Sequence, residues 1–358
     1  MSLPTLGLLA IFCDEAQVMY EYLLHYASEG VSQFVLLDQN SIDNGVAVAR
    51  EFAASRPWLN VTLLAAREQH QQVRHYSKSA HLLRTDWILI CDLDEWVYAR
   101  LGFATIPSFL ATLPAEAKLV GLPWLLFGSN LTVAQPSSVI DTFVTRAPTR
   151  ASRMELKGIV RRSELCTPIA TRSKRRPSVL SRWTVLSPES WANVERACGD
   201  AECCVEHQHR SSFTAELYLP DGKPAHRGID LGRFVGSLRD NSSNSWALHM
   251  NHYQVGSCEY FTRVKMTRGD VQLGRNHKMR NFDWFTSKDK SQRRNFVVDD
   301  ELRLKRGPGW LAQCERTVQP TWPNISRVGG QGLARAFKLP VDALGSHCFG
   351  NRSAGWAL

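Results

Sequence analysis

Three times in the first hundred residues an apolar run of strand length ends in a carboxylate, and stretches with helical spacing separate the runs. "TLGLLAIFC" leads to Asp14-Glu15, "VSQFVLL" to Asp38, and "WILIC" to Asp92-Leu93-Asp94-Glu95. Strands that are apolar throughout are buried on both faces, and alternation with helices specifies a parallel sheet with crossover connections. The fold class expected is therefore α/β, with a Rossmann-like, mostly parallel sheet between helices. In such a sheet polar groups gather beyond the carboxyl ends of the strands, where loops can carry what the core cannot.

The spacing predicts a strand over 5–13. A helix follows, carrying Val18, Tyr22, Leu23 and Tyr26 on one face and stopping at Gly30. A strand over 31–38 then runs into the turn formers "QNSIDNG", followed by a helix over 46–55 and a short strand "NVTLL". A polar helix over 68–84 and the strand "WILIC" complete the pattern. Beyond Asp94 the regularity fades: "KLVGLPWLLFGSN" reads as a strand entering a glycine-containing loop, and 150–240 as loops and short strands. "WALHMNHYQVGS" returns to strand character and "CEYFTRVKMTRGD" to helix. Residues 1–270 are expected to form one catalytic domain, with 271–358 a helical or irregular extension packed on it.

Composition narrows the class. Of the 358 residues 44% are hydrophobic and 22% charged, which marks a globular chain, and no run of eighteen apolar residues occurs. The start of the sequence has no basic leader and no small-residue cleavage pattern. Nine cysteines, mostly scattered (Cys13, Cys91, Cys166, Cys258, Cys314, Cys348), read as reduced thiols and give a cytoplasmic expectation. Sequons beginning at Asn60, Asn130, Asn241, Asn324 and Asn351 would matter only in a secretory lumen, the alternative if an anchor has been removed. The net charge of +9 is concentrated in 150–182, a stretch suited either to a solvated basic loop or to phosphates, an acidic glycan or peripheral contact with an anionic membrane. No nucleic-acid partner is expected. "CGDAECCVEHQHR" holds Cys198, Cys203, Cys204, His207 and His209 but lacks clean zinc-ligand spacing.

The carboxylates carry the chemistry. In extended geometry Asp92 and Asp94 would point to one side, and a hard divalent cation is the usual remedy for two carboxylates aimed at one point. Such a cation keeps positions open for phosphate oxygens.

"AIFCDEAQVMYEYLLHYASEGVSQFVLLDQNSIDNG", "TDWILICDLDEWV", "LPWLLFGSN" and "HMNHYQVGSCEYFTRVKMTRG" stand in this order over about residues 5–270. Together they resemble GT-A glycosyltransferases of family 92 and their family 2-like bacterial relatives. The resemblance implies a GT-A fold and transfer of a sugar from a nucleotide-diphosphate donor to a hydroxyl of a glycan or other acceptor, with inversion. It implies that Glu15, Asp38, Asn40, Ser41 and Asp43 line the nucleotide pocket with Asp92. Asp92, Asp94 and His252 would hold manganese or magnesium. Trp124, Phe127 and Gly128 would form the sugar or acceptor platform, and Lys157, in "LKGIVRRSEL", would meet phosphate. Glu95, Asp141 and Glu155 are the candidates for the general base that takes the acceptor's proton, with nothing to choose among them. Two departures stand out: Asp14-Glu15 replaces the family's Asn-Glu, and the histidine that follows the lysine segment is missing from "CTPIATRSKRRP".

Two other readings compete. A haloacid-dehalogenase-type phosphatase also places Asp-x-Asp after an apolar strand, with Asp299 and Asp300 of "FVVDDEL" as the later acidic pair, but its first motif continues Gly-Thr where this chain has Glu95-Trp96. A catalytically silent glycan-binding module on the same scaffold is the third.

Overall fold

In the computed structural model the residues described are 2–67, 72–148, 156–165, 217–224, 245–268, 280–289, 297–323 and 340–349. The strands are β1 (Leu6–Phe12), β2 (Val31–Asp38), β3 (Asn60–Ala65), β4 (Trp87–Ile90), β5 (Glu95–Ala99), β6 (Leu119–Leu126), β7 (Thr145–Arg146), β8 (Leu156–Arg161), β9 (Leu217–Tyr218), β10 (Leu248–His252) and β11 (Val297–Val298). The large sheet runs in the order β3-β2-β1-β4-β8-β6-β10-β5, with β9 beside β6, while β7 and β11 pair separately. Within it β3, β2, β1 and β4 are mutually parallel, β6 and β10 are parallel to each other, and β8 and β5 run antiparallel to their neighbours. This is the expected α/β class: a Rossmann-like, mostly parallel sheet between helices.

The strand pattern explains the burial. Side chains alternate across a strand, so Leu8, Ala10 and Phe12 join the core under helices α1 (Ala16–Ser28) and α2 (Gly45–Ser55). Leu9 and Ile11 pack with Val35, Leu37, Ile88 and Ile90 beneath helix α3 (Gln72–Ser79) on the other face. Helix α1 stops where expected, and Gly30 takes φ +90 just beyond it, a conformation that favours glycine. The polar helix expected over 68–84 is shorter: α3 gives way to a 3-10 turn at Ala80–Leu82, and 68–71 lie outside the described residues. No helix among the described residues is long and apolar enough to cross a membrane.

One expectation is overturned. Cys258 and Cys348, read as reduced thiols, form a disulfide with Cα atoms 6.1 Å apart. It joins the helical segment that begins at Cys258 to the C-terminal helix Val341–Phe349, over a small separate core containing Phe261, Phe285, Leu344 and Phe349. Their separation of 90 residues conceals the pairing in sequence. Cys91 and Cys314 are buried thiols outside any disulfide.

Residues 297–323 form a strap across α1. Along the stripe 17, 21, 25, 29 of that helix, each side chain has a partner in the strap: Gln17 donates to Pro320 O, Glu21 accepts from Trp310 Nε1, and Arg306 reaches both His25 Nδ1 and Glu29. The i, i+4 spacing keeps the stripe on one face. Burial raises the Glu21 carboxyl, although Val139 N–H, Ser138 and Trp310 all donate to it. Burial, with Arg306 beside it, lowers His25 well below its ordinary value and so keeps it neutral.

Candidate active site

The fold brings the polar ends to one edge. Parallel strands β1, β2, β4, β6 and β10 finish there, and antiparallel strands β5 and β8 begin there. Glu95 is therefore the first residue of β5 and Lys157 the second of β8, beside the last residue of β10, His252. The register places His252 directly opposite Glu95, and Tyr253 N donates to Asp94 O at 2.8 Å.

Between β4 and β5 the chain does not continue extended. Asp92, Leu93 and Asp94 make a turn closed by Glu95 N donating to Asp92 O at 3.0 Å, so the two aspartates diverge instead of sharing a side. Helix α1 holds this turn from below: Tyr22 donates to Cys91 O, Tyr26 to Glu95 O, and His25 Nε2 bonds Val97 O. Glu29 accepts from Ala99 N. An amphipathic helix has thus spent its polar atoms on fixing the backbone that carries the acidic set.

Each branch of that set has its own lysine. Lys157, buried, lies 3.2 Å from Asp92 Oδ2 and 3.1 Å from Glu95 Oε2, and Glu95 also accepts from Asp92 N at 2.9 Å. Gln72 and Tyr76 of α3 donate to the other oxygen of Asp92. Burial pushes the Glu95 carboxyl up to about 7, with Lys157 pulling it back and Asp92 opposing that pull. Burial lowers Lys157, but Asp92 and Glu95 outweigh it and raise the ammonium. Asp94 is paired with the fully buried Lys265, which also donates to Gln254 O, and its Oδ1 is 3.6 Å from His252 Nε2. Burial would raise the Asp94 carboxyl, yet Lys265 and His252 hold it well below its usual range.

Asp94 and His252 therefore stand at a separation that two donors of one cation can span, since bonds of about 2.1 Å at open angles place ligands about 3–3.5 Å apart. His252 Nδ1 is buried with no hydrogen-bond partner among the described residues. Asp92, the third ligand expected, is turned to Lys157, Gln72 and Tyr76, and among the described residues no group of three His, Cys, Asp or Glu side chains could hold a metal ion.

The ends of β1 and β2 are knotted together. Asp14, at φ +57, accepts from Ile42 N and Asp43 N, while its own N donates to Ser41 Oγ and Ser41 N donates to Asp38. Asp43 accepts from Ala16 N and Gly45 N, and burial raises its carboxyl to about 6. Asn40, also at positive φ, donates to Arg67 O and is exposed. Glu15 is buried and accepts from Tyr260 OH at 3.0 Å. Tyr260, Asp94, Leu93, Trp96 and Tyr253 line a small cavity beneath the edge.

The remaining expected residues fall as follows. Trp124 packs against His252 with ring centroids 4.1 Å apart, and Phe127 is buried against Tyr253, so neither presents an open face. Gly128 N donates to Thr145 O, and the next residue, Ser129, is held by Asp289. Asp141 lies in the short helix Val139–Thr142, where its N donates to Ser138 Oγ. Glu155, the Cys198–His209 cluster and most of the basic 150–182 stretch lie outside the described residues. Asp299 and Asp300, in the strap, are engaged by Arg146 of β7 and Arg303 of the strap.

Sequence reasoning left Lys265 without a role. Its signal was a lysine flanked by apolar residues in "YFTRVKM", which the structure coils as a wide π turn over Phe261–Lys265. Such turns recur at functional sites.

Neither protein-family models nor curated proteins give a match to this chain. Solved structures do. A mannosyltransferase of Pyrobaculum calidifontis, in complex with GDP-Man and Mn2+, is 12% identical with TM-score 0.33, covering 68% of this chain and 65% of its own. TarS of S. aureus in complex with UDP is 14% identical with TM-score 0.32, covering 45% and 48%. Glucosyl-3-phosphoglycerate synthase of Mycobacterium tuberculosis, in complex with Mn2+, UDP-glucose and phosphoglyceric acid, is 15% identical with TM-score 0.27, covering 46% and 59%. The chain thus spans less than two thirds of the length of each. At this level the likeness is partial, and the fold is read from the sheet order and register above.

Proposed function

We propose that the chain is a divalent-cation-dependent glycosyltransferase that takes a sugar from a nucleotide-diphosphate donor to a hydroxyl of a glycan or other acceptor, with inversion. The observation that carries this reading is the pairing of Asp94 with His252, 3.6 Å apart at the carboxyl edge of the sheet and beside the buried Lys265. Asp94 and His252 would hold the cation, manganese or magnesium, whose chemistry is to offset charge on the departing diphosphate. Lys265 keeps Asp94 ionised, and Lys157 fixes Asp92 and Glu95 in place. Glu95 is sealed beneath the Asp92–Asp94 turn and tied to Lys157, which makes it a positioning residue and leaves the acceptor's base to another group. Asp299 and Asp300 are occupied by Arg146 of β7 and Arg303 of the strap, which weighs against the phosphatase reading.

A screen of nucleotide sugars with and without manganese tests this. The expected result is nucleoside diphosphate released only with metal, reduced at least about 100-fold in Asp94→Ala, a loss typical of removing a charge-stabilising group. Inorganic phosphate released from simple phosphomonoesters would support the phosphatase instead. Glycan binding with no release from any donor would support the silent module.

A further inference from the structure

The turn before β3 carries an exposed tryptophan that packing does not explain. Leu59 N donates to Arg56 O at 3.0 Å, closing a turn with Pro57 and Trp58 at its centre, and Trp58 is 75% exposed. Two residues on, exposed Asn60 opens β3 and begins the sequon Asn60-Val61-Thr62. Among the described residues nothing hydrogen-bonds the Asn60 side-chain amide. The other described sequon differs. Asn130 Nδ2 donates to Thr142 O at 2.8 Å, and its Oδ1 accepts from Thr145 N and Thr145 Oγ1, so its amide is committed.

We propose that Asn60 is an N-glycosylation site, that the Trp58 ring covers the first sugar, and that the chain resides in an oxidising secretory lumen. The Cys258–Cys348 disulfide supports that compartment independently of the sequon, because such bonds persist where thiols are oxidised. This stands against the cytoplasmic expectation drawn from scattered cysteines. In the modification, Asn60 Nδ2 forms a bond to C1 of the sugar of a lipid-diphosphate-linked oligosaccharide. The bond from C1 to the diphosphate oxygen breaks, the lipid diphosphate leaves, and the amide gives up one proton to the transferring enzyme's base. An indole face two residues away lies within about 7 Å along the backbone, close enough to stack on the apolar face of the first sugar. The site has a second consequence for the fold. β3 is the last strand on its side of the sheet order and has no partner on its outer edge among the described residues, and a bulky glycan at its first residue would block pairing with another chain.

The test is secretion of the whole chain, behind a cleavable leader, from a eukaryotic cell, followed by peptide-N-glycosidase and peptide mass spectrometry. Expected is conversion of Asn60 to aspartate in the bulk of the protein with Asn130 unconverted, and migration faster by one glycan step in both Asn60→Gln and Thr62→Ala. Deglycosylation should lower the Tm of the wild-type protein and leave that of Trp58→Ala nearly unchanged. Trp58 is exposed, so its removal leaves the core intact. An unmodified Asn60 would overturn the site, whether or not other sequons are occupied. Asn130 modified as fully as Asn60 would overturn the selection by accessibility, and an equal Tm drop in Trp58→Ala would overturn the stacking.

Discussion

Replacing Lys157 by Met removes one ammonium from between two carboxylates of very different freedom. Asp92 has a side chain 29% exposed and can turn to water; Glu95 is fully buried, and its Oε1 already lacks a hydrogen-bond partner among the described residues. Stranding a buried charge by deleting its partner costs about 3–5 kcal/mol, and nearly all of that should fall on Glu95. Adding Glu95→Gln removes the stranded charge while an amide oxygen remains to accept from Asp92 N, so the double variant should recover about 2–3 kcal/mol. Urea unfolding followed by tryptophan fluorescence reads both, at about pH 8.5, where Glu95, its carboxyl at about 7 beside Lys157, is ionised in the wild type, so the variant bears the loss either as a stranded charge or as uptake of a proton on folding. A cost under about 1 kcal/mol for Lys157→Met, or two costs that add within about 0.5 kcal/mol, would refute the clamp. Lys157 would then be left with the phosphate contact that the family resemblance implies, visible as lost turnover at unchanged stability.

Other outcomes follow from the same geometry. Asp43 has its carboxyl raised by burial to about 6, so the folded state binds its proton more tightly than the unfolded chain does. Its contribution favours folding at low pH and is lost as pH rises through about 6, so the stability of wild type relative to Asp43→Asn should fall between about pH 4 and 7, read by urea midpoints across that range. Reducing the Cys258–Cys348 bond, or Cys348→Ser, should cost about 2–5 kcal/mol for a loop of this length, seen as a lower Tm that reductant no longer changes in the variant. Trp310→Phe keeps one aromatic ring but deletes the indole N–H that donates to buried Glu21, with an expected loss of about 1–3 kcal/mol by denaturant unfolding.

The sheet was legible because its strands are written twice, once as continuous apolar runs and once as the turn chemistry between them. Val31–Asp38 was bounded to the residue by Gly30 and the turn formers after Asp38. The acidic edge was legible too, since Asp14, Asp38 and Asp92 each follow such a run. The direction of each carboxylate was not. Asp92 and Asp94 diverge because a turn, and not the strand's period of two, carries them, and that turn is held by Tyr22 and Tyr26 about seventy positions earlier. Lys157 and Lys265 were ambiguous for a related reason. A lysine's partner is set by where its strand or helix ends, and β8 inserts antiparallel between β4 and β6, a placement no local pattern encodes. The Cys258–Cys348 pairing was hidden likewise, joining two segments whose meeting depends on the completed fold.

The strap over α1 has a consequence for the order in which the molecule can be made. Gln17, Glu21, His25 and Glu29 emerge early in synthesis, while Arg306, Trp310 and Pro320, which cover them, emerge roughly three hundred residues later. Until then the nascent sheet carries a helix whose polar stripe is unmatched on the side it will bury. The same helix holds the Asp92–Glu95 turn, so the acidic edge should acquire its final shape only once the strap has docked. A chain ending at residue 296 should therefore show faster hydrogen exchange in α1 and at residues 91–99 than the full chain, and equal protection in both would sink the idea.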